Sequence, residues 1–315
     1  MIEELKRYIG PLPSMSFVKF KSGDNVGEIL FYPHINDTPA ISVIIPTRDA
    51  WGKGCFPALL ERLRWQSHWD QIEIIVVKGD TRQGRAINTG VALAKGKYLI
   101  TLDDDVKLKN NFVFEKLVNA LENDSSIGMA GGINVIPDDA TDFVRRTMKE
   151  LPRRSTPLIN KIVDSDMAEH PLLIMRKGDF LNIGGENELI PRGLDPYLRE
   201  EYRRAGFRVV IVPGAYYSHL TPSTFSKLIK QFFKNGKQAA FCNIFYPQWV
   251  IETPDYHGEF VPRKSFLNRI LRYLKELLKA ILGGKWILLS SKVAYASGFI
   301  MEAMFSQRFK IKQSL

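Results

Sequence analysis

Three carboxylates, Asp103, Asp104 and Asp105, directly follow the apolar run of Tyr98, Leu99, Ile100 and Leu102. An apolar run bounded by polar residues reads as a buried strand. Acids crowded at the end of such a strand repel one another, and a divalent cation with oxygen ligands relieves that repulsion. Open α/β sheets bind their ligands at the carboxyl ends of the strands, where these acids would stand. Taken alone, the triplet could also cap a helix or solvate a turn.

The segments around it decide how the acids are positioned. Ile41 to Ile45 is a β-branched run, ended by Pro46 and followed by the polar loop PTRDAWGKG. Phe56 to Trp65 has helical spacing, with Leu59, Leu60 and Leu63 on one side. Ile72 to Val77 predicts a second buried strand. Arg85 to Lys95 predicts a helix with Ile87, Val91 and Ala94 inward, stopped by Gly96. Strand, helix, strand, helix, strand in this order predicts an α/β fold with a mostly parallel sheet and right-handed crossovers. Beyond the acids, Phe112 to Leu121 reads as an amphipathic helix and Ile127 to Val135 as a strand. Asp138 to Asp166 reads as a polar irregular stretch, over a site or on the surface. Leu172 to Arg176 predicts a strand. Asp195 then Pro196 predicts a helix start, N-cap followed by N1, with Leu198, Tyr202 and Ala205 buried and Gly206 at the C-terminal cap. Arg208 to Val212 predicts a strand that Pro213 breaks, with His219 beyond it. Near the N-terminus, Val18 to Phe20 and Glu28 to Tyr32 flank SGDN, the pattern of a small hairpin.

The 315 residues suit one large domain or a domain with an appendage, and 45% hydrophobic with 25% charged residues is ordinary globular composition. Four divisions are expected: an N-terminal extension at 1–39, a catalytic domain at 40–222, a connecting helix and loop at 223–262, and a basic helical region at 263–315. Cys55 and Cys242 stand far apart and match no metal or disulfide spacing, which fits a reducing compartment. The N-terminus MIEELKRYIG has no apolar signal core. No Gly-x-Gly-x-x-Gly follows a strand, which disfavours a dinucleotide site.

Residues 41 to 219 resemble the inverting glycosyltransferases of family 2, whose fold is called GT-A. The likeness rests on an ordered set: the strand and Pro-Thr loop SVIIPTRD; Arg85, Asn88 and Gly90 on a helix; Ala94 and Gly96 before the acidic strand; Asp103 and Asp105 as Asp-x-Asp; Gly184 and Gly185; Gly193 with Asp195; then Pro213 and His219. Two positions depart from the family pattern. Its Asp-Asp-Gly-Ser is Lys78, Gly79, Asp80 and Thr81 here, and its Gly-Glu-Asp is Gly193, Leu194 and Asp195. The resemblance implies a Rossmann-like GT-A sheet flanked by helices, with a C-terminal helical tail. It implies sugar transfer from a nucleotide-diphosphate sugar to a glycan or lipid-linked acceptor, with manganese or magnesium as cofactor. Asp105, Asp103 and His219 would serve the metal, with His219 alternatively on the diphosphate. Pro46, Thr47, Arg48, Asp49, Asp80, Arg85, Asn88, Asp103 and Asp104 would bind the nucleotide sugar. Asp195 would be the catalytic base. A sugar-phosphate nucleotidyltransferase and an inactive membrane-bound scaffold of the same fold are the alternatives; GKG at 52–54 is a poor triphosphate loop.

The net charge is +10, of which +9 sits in the tail, because Arg263 to Leu315 hold 11 Lys or Arg against Glu276 and Glu302. Leu267, Ile270, Leu271, Leu274, Leu277, Leu278, Ile281 and Leu282 recur at helical spacing, with Arg269, Arg272, Lys275 and Lys279 on other faces. A basic amphipathic helix of this kind lies on anionic membranes, so peripheral contact through 263–305 at the cytoplasmic face is expected. The tail carries no nucleic-acid motif.

Overall fold

β-branched runs form the centre of the sheet, because such side chains are stiff and fit a pleated surface buried on both faces. The computed structural model describes residues 16–22, 25–32, 38–219, 221–251 and 266–313. The expected turn residues Gly23 and Asp24, most of the linker at 252–262, and the side chains of Leu267 and Arg269 lie outside the described parts. Strands β3 (Ile41–Thr47), β4 (Ile72–Lys78) and β5 (Tyr98–Leu102) pair in parallel in the order β4, β3, β5. β1 (Ser16–Ser22) and β2 (Asn25–Tyr32) form an antiparallel hairpin whose second strand joins the edge of β4. On the other side of β5 stand β9 (Leu172–Arg176), β7 (Ile127–Asn134), β10 (Arg208–His219) and β6 (Val106–Leu108). β7 and β10 are parallel, whereas β5 with β9, β9 with β7, and β10 with β6 are antiparallel, so the sheet is mixed. The short β8 (Val163–Asp164) pairs with β10.

Helices cover both faces. Val43 and Ile45 of β3 meet the buried leucines of α1 (Phe56–Arg64) and the apolar stripe of α3 (Val113–Asn123) in one core. Ile44, pointing the other way, joins Ile87 and Val91 of α2 (Gln83–Leu93), Phe180 of α5 (Lys177–Asn182), and Leu198 and Tyr202 of α6 (Leu194–Arg204) in the second. The alternation along β3 is the period-2 geometry of a strand with both sides buried.

Three expectations change. The stretch at 138–166 contains a helix, α4 (Asp142–Glu150), whose start Thr141 caps by accepting from the Val144 N–H at 3.4 Å. Its polar outer face hides the short buried pair Thr147 and Met148 from a periodicity reading. Pro213 does not end its strand: β10 continues to His219 through an irregularity between Ile211 and Tyr216, which absorbs the missing N–H of the proline. Ala205 is exposed, since the chain turns through Gly206 at φ 85° immediately after α6.

The C-terminal helices α7 (Phe225–Phe245), α8 (Phe266–Leu282) and α9 (Trp286–Gln313) fold back on the domain. Glu150 at the end of α4 accepts from the Ile287 and Leu288 N–H groups at 3.0 and 3.3 Å, capping α9 from outside its own sequence. α7 and α9 touch backbone to backbone: a Cβ on Gly236 would stand 2.0 Å from the Tyr295 carbonyl oxygen, and one on Gly298 2.0 Å from that of Phe233. Gly298→Ala should therefore destabilise the protein by about 1–3 kcal/mol. Urea unfolding monitored by circular dichroism reads this directly, and an unchanged midpoint would mean the helices are not held this closely.

Candidate active site

Strand register assembles the site. β5 ends at Leu102, so Asp103 stands at its carboxyl end. His219, the last residue of β10, pairs with Val106 of β6 and is thereby carried back over the acids. Its Nε2 lies 3.0 Å from Asp105 Oδ1 and 3.7 Å from Asp103 Oδ2. Asp103, Asp105 and His219 each offer one ligand atom, all within 4.8 Å of one another. Two carboxylates and an imidazole suit a hard or borderline divalent cation. Asp105 is buried. Burial, with Asp105 and Asp195 nearby and only His219 and His170 opposing, pushes the Asp103 carboxyl up to about 6. The His219 imidazole is shifted upward too: burial lowers its pKa, but the hydrogen bond and charge of Asp105 outweigh that. Both groups thus bind a proton more readily than they would in water, a cation would relieve the same crowding, and the donor set fits one.

A second cluster follows from the antiparallel pairing of β5 with β9. Leu102 pairs with Leu172, which brings His170, just ahead of β9, beside the acidic end of β5. His170 is buried and bridges two carboxylates, with Nδ1 2.5 Å from Asp195 Oδ1 and Nε2 2.6 Å from Glu186 Oε1. The same Asp195 oxygen accepts the His170 backbone N–H at 2.7 Å. Burial disfavours the imidazolium, yet Glu186 and Asp195 raise the His170 pKa well above its ordinary value. In turn, and against its own burial, Asp195 is held well below the usual carboxylate range by His170 and then Arg199. Helix α6 starts at Leu194 after Gly193 at φ 88°, so Asp195 is inside the first turn. It does not cap its own helix, as the Asp-Pro pair predicts; its side chain reaches across to His170. The first turn still favours its negative charge.

Asp103, Asp195 and His219 line one cleft of about 650 Å³, with Gln83, Asn134, Arg154, His170 and Arg199. Gln83 Nε2 donates to Asp103 Oδ1 at 3.0 Å. The other sequence candidates are not in this lining. Thr47 donates to Asp104 Oδ2 at 2.5 Å, which turns Asp104 from the acid pair toward the loop after β3. Asp49 accepts from the Trp51 and Gly52 N–H groups at 2.9 and 3.2 Å and shapes that loop, and Arg48 beside it is exposed. Pro46 lies within β3, paired with Val77. Asp80 takes both arms of Arg85 at 2.8 Å, so these two first satisfy each other. Asn88, expected to face the cleft, is spent on the loop after Gly185. Its Nδ2 donates to the Glu186 carbonyl at 2.9 Å and to Glu188 at 2.8 Å, and its Oδ1 accepts the Glu186 N–H at 2.9 Å.

Sequence reasoning missed His170, Glu186 and Arg199. Glu186 directly follows the Gly184-Gly185 pair, which was a usable signal. His170 is a lone histidine whose importance depends on pairing between strands far apart in sequence. Arg199, fully buried, donates to the Ala168 carbonyl at 2.8 Å and lies 3.6 Å from Asp166.

Residues 65–180 match the family model described as glycosyl transferase family 2. Over that stretch the chain is similar to family 2 glycosyltransferases. The matched stretch runs from the end of α1 to α5 and includes Asp103, Asp105 and His170. None of the curated proteins compared with it matches. Among solved structures, the mannosyltransferase PcManGT from Pyrobaculum calidifontis, in complex with GDP-Man and Mn2+, aligns over 95% of this chain and 93% of its own, with TM-score 0.51 and 13% identity. That likeness is one of fold, and the fold is GT-A. GalNAc-T7 with UDP, GalNAc and Mn2+ aligns over 65% of this chain and 51% of its own, at TM-score 0.44 and 12% identity. TarS 1-349 of S. aureus in complex with UDP aligns over 64% of each chain, at TM-score 0.40 and 14% identity.

Protons on Asp103 and His219 must leave before both can ligate a metal. For Asp103 the folded state binds its proton more tightly than an unfolded chain does. Its contribution to metal-free stability is therefore present below about pH 4 and lost as pH rises through about 6. Manganese should accordingly raise the melting temperature more at about pH 7.5 than at about pH 5.5. Asp105→Ala should abolish the shift. Equal shifts at both pH values, or a full shift in that variant, would remove the cation from this site.

Proposed function

We propose that this glycosyltransferase domain moves a sugar from a nucleotide-diphosphate sugar, with inversion and with a divalent cation, to a glycan or lipid-linked acceptor. The observation that carries the reading is the meeting of Asp103 and His219 with Asp195 in one cleft. An inverting displacement forms a bond from an acceptor oxygen to the anomeric carbon as the bond to the diphosphate breaks. The acceptor proton needs a base, and the leaving diphosphate needs its growing charge offset. A cation held by Asp103, Asp105 and His219 supplies that offset when bound. Asp195 is the base: Oδ1 is fixed by His170, and Oδ2, with no partner among the described residues, takes the proton. His170, kept charged by Glu186, orients Asp195 and keeps it ionised before the acceptor arrives. The nucleotide would lie along the loops after β3 and β4, near Thr47, Asp49 and the Asp80–Arg85 pair. The GDP-Man bound by the structurally similar mannosyltransferase supports a donor of that class for this chain.

Asp195→Asn should lower turnover by about 10²–10⁴-fold, since it keeps the hydrogen-bonding shape and removes the basic oxygen. Manganese-dependent binding of a nucleoside diphosphate, read by thermal shift across GDP, UDP, ADP and CDP, should survive in that variant. Near-normal turnover would leave Asp195 as a structural partner of His170. No response of the wild type to any of the four would favour an inactive scaffold.

We further place the chain on the cytoplasmic surface of a membrane, through α8. Among the described residues no helix is long and apolar enough to cross a bilayer. α8 turns Tyr273, Leu277 and buried Ala280 inward, and Tyr273 donates to the Lys292 carbonyl of α9 at 2.6 Å. Its apolar stripe of Ile270, Leu271, Leu274, Leu278, Ile281 and Leu282 faces out, with Leu282 78% exposed, beside exposed Arg272, Lys275 and Lys279. An exposed apolar stripe next to a basic strip matches the headgroup boundary of an anionic leaflet. The full chain should float with vesicles containing phosphatidylglycerol, and Leu274→Glu with Leu278→Glu should abolish flotation while leaving the melting temperature unchanged. Flotation that survives both substitutions would exclude α8 as the contact.

A further inference from the structure

Arg154 lies in the cleft beside the acidic cluster but has no part in the chemistry described above. It follows Arg153, whose φ of 64° is left-handed, a conformation that a non-glycine residue keeps only where its neighbours enforce it. The enforcement is visible. The Arg153 guanidinium donates to Glu169 at 3.1 Å through Nε and also reaches the Asp166 carbonyl. The Arg154 carbonyl accepts from Asn134 Nδ2 at 3.0 Å, while Asn134 Oδ1 accepts the His219 backbone N–H at 3.1 Å. One buried asparagine thus ties Arg154 to His219.

The Arg154 side chain is placed and yet electrically unmatched. It donates to the neutral Gln231 Oε1 at 3.1 Å and lies over the Phe232 ring, 5.8 Å from its centroid. No carboxylate forms an ion pair with it among the described residues, whereas Arg153, Arg199 and Arg203 all have acidic partners. A guanidinium has five donors, and withdrawing it from water without an anion is costly. Burial lowers its pKa, though Glu169 and Asp105 pull the other way.

We propose that Arg154 grips a phosphoryl group bound beside Asp105 and His219, as the fixed-charge half of a clamp whose other half is the cation. The inference rests on the sugar-transfer reading and assigns a residue to its anion. A planar guanidinium with free N–H groups matches two phosphoryl oxygens at once. Both the diphosphate of the donor and a phosphate on the acceptor present that chemistry.

Calorimetric titration of the full chain separates them. With manganese present, Arg154→Gln should weaken inorganic pyrophosphate binding at least about tenfold, with affinity for manganese alone unchanged and Arg154→Lys intermediate. That result assigns the donor diphosphate. If pyrophosphate binding is unchanged but orthophosphate no longer binds the variant saturated with manganese and GDP or UDP, the anion is the acceptor's. If both anions bind Arg154→Gln as tightly as the wild type, the proposal is overturned. Should the Gln variant melt below the working temperature, the Lys variant decides by the same comparisons. A wild type that binds no nucleoside diphosphate with manganese would instead sink the transfer reading itself.

Discussion

Repulsion between carboxylates at the end of β5 is the constraint from which the site follows. Asp103 and Asp105 are separated by one residue, and the turn between β5 and β6 keeps them close. Water cannot screen them well, because Asp105 is buried. The molecule answers with histidine: the antiparallel pairing of β6 with β10 delivers His219 to Asp105 at 3.0 Å. The crowding favours positive charge at this point, which is why the Asp103 carboxyl and the His219 imidazole are both shifted upward. Asp104, in the middle of the triplet, escapes by bonding to Thr47.

The same difficulty recurs a few residues away with a different solution. Asp195 and Glu186 are both drawn toward the cleft, and His170 stands between them as a shared counter-charge. Two carboxylates around one imidazolium leave a net negative charge, and Glu186 Oε2 is buried without a hydrogen-bond partner among the described residues. The orphan oxygen is a cost that a purely structural network would tend to avoid. It is consistent with a network whose purpose is to keep Asp195 ionised and oriented rather than to maximise stability. Arg199, buried behind it and bonded to the Ala168 carbonyl, adds a second positive charge that helps keep Asp195 ionised.

The C-terminal helices are part of this arrangement. α7 contributes Gln231 and Phe232 to the cleft wall, and α9 contributes Tyr295. Leu151, Leu228 and Ile287 join the loop after α4 to both helices in a small separate core. The close approach at Gly236 and Gly298 makes the pair a rigid wall, while the apolar stripe of α8 is turned away from the body. One face of the helical region therefore shapes the cleft, and another is left for a surface of different chemistry.

Local pattern alone determined the buried strands β3, β4 and β5, the inward faces of α1, α2 and α3, and the location of the acids at a strand end. Each of these depends on periodicity or on residues adjacent in the chain, and burial on both faces leaves a strong signature in β-branched runs. The ordered motifs also marked Asp195 and His219. The tertiary structure alone decided what those residues touch. Asn88 and Asp80 look available in sequence, but Glu186, Glu188 and Arg85 claim them. His170 looks ordinary, but the pairing of Leu102 with Leu172 makes it the partner of Asp195, the proposed base. The helix at Asp142–Glu150 was hidden because its buried face is completed by α7 and α9, elements far along the chain. Hydrogen bonds and ion pairs are settled by distance in space, and strand register sets that distance without leaving a local mark in the amino-acid order.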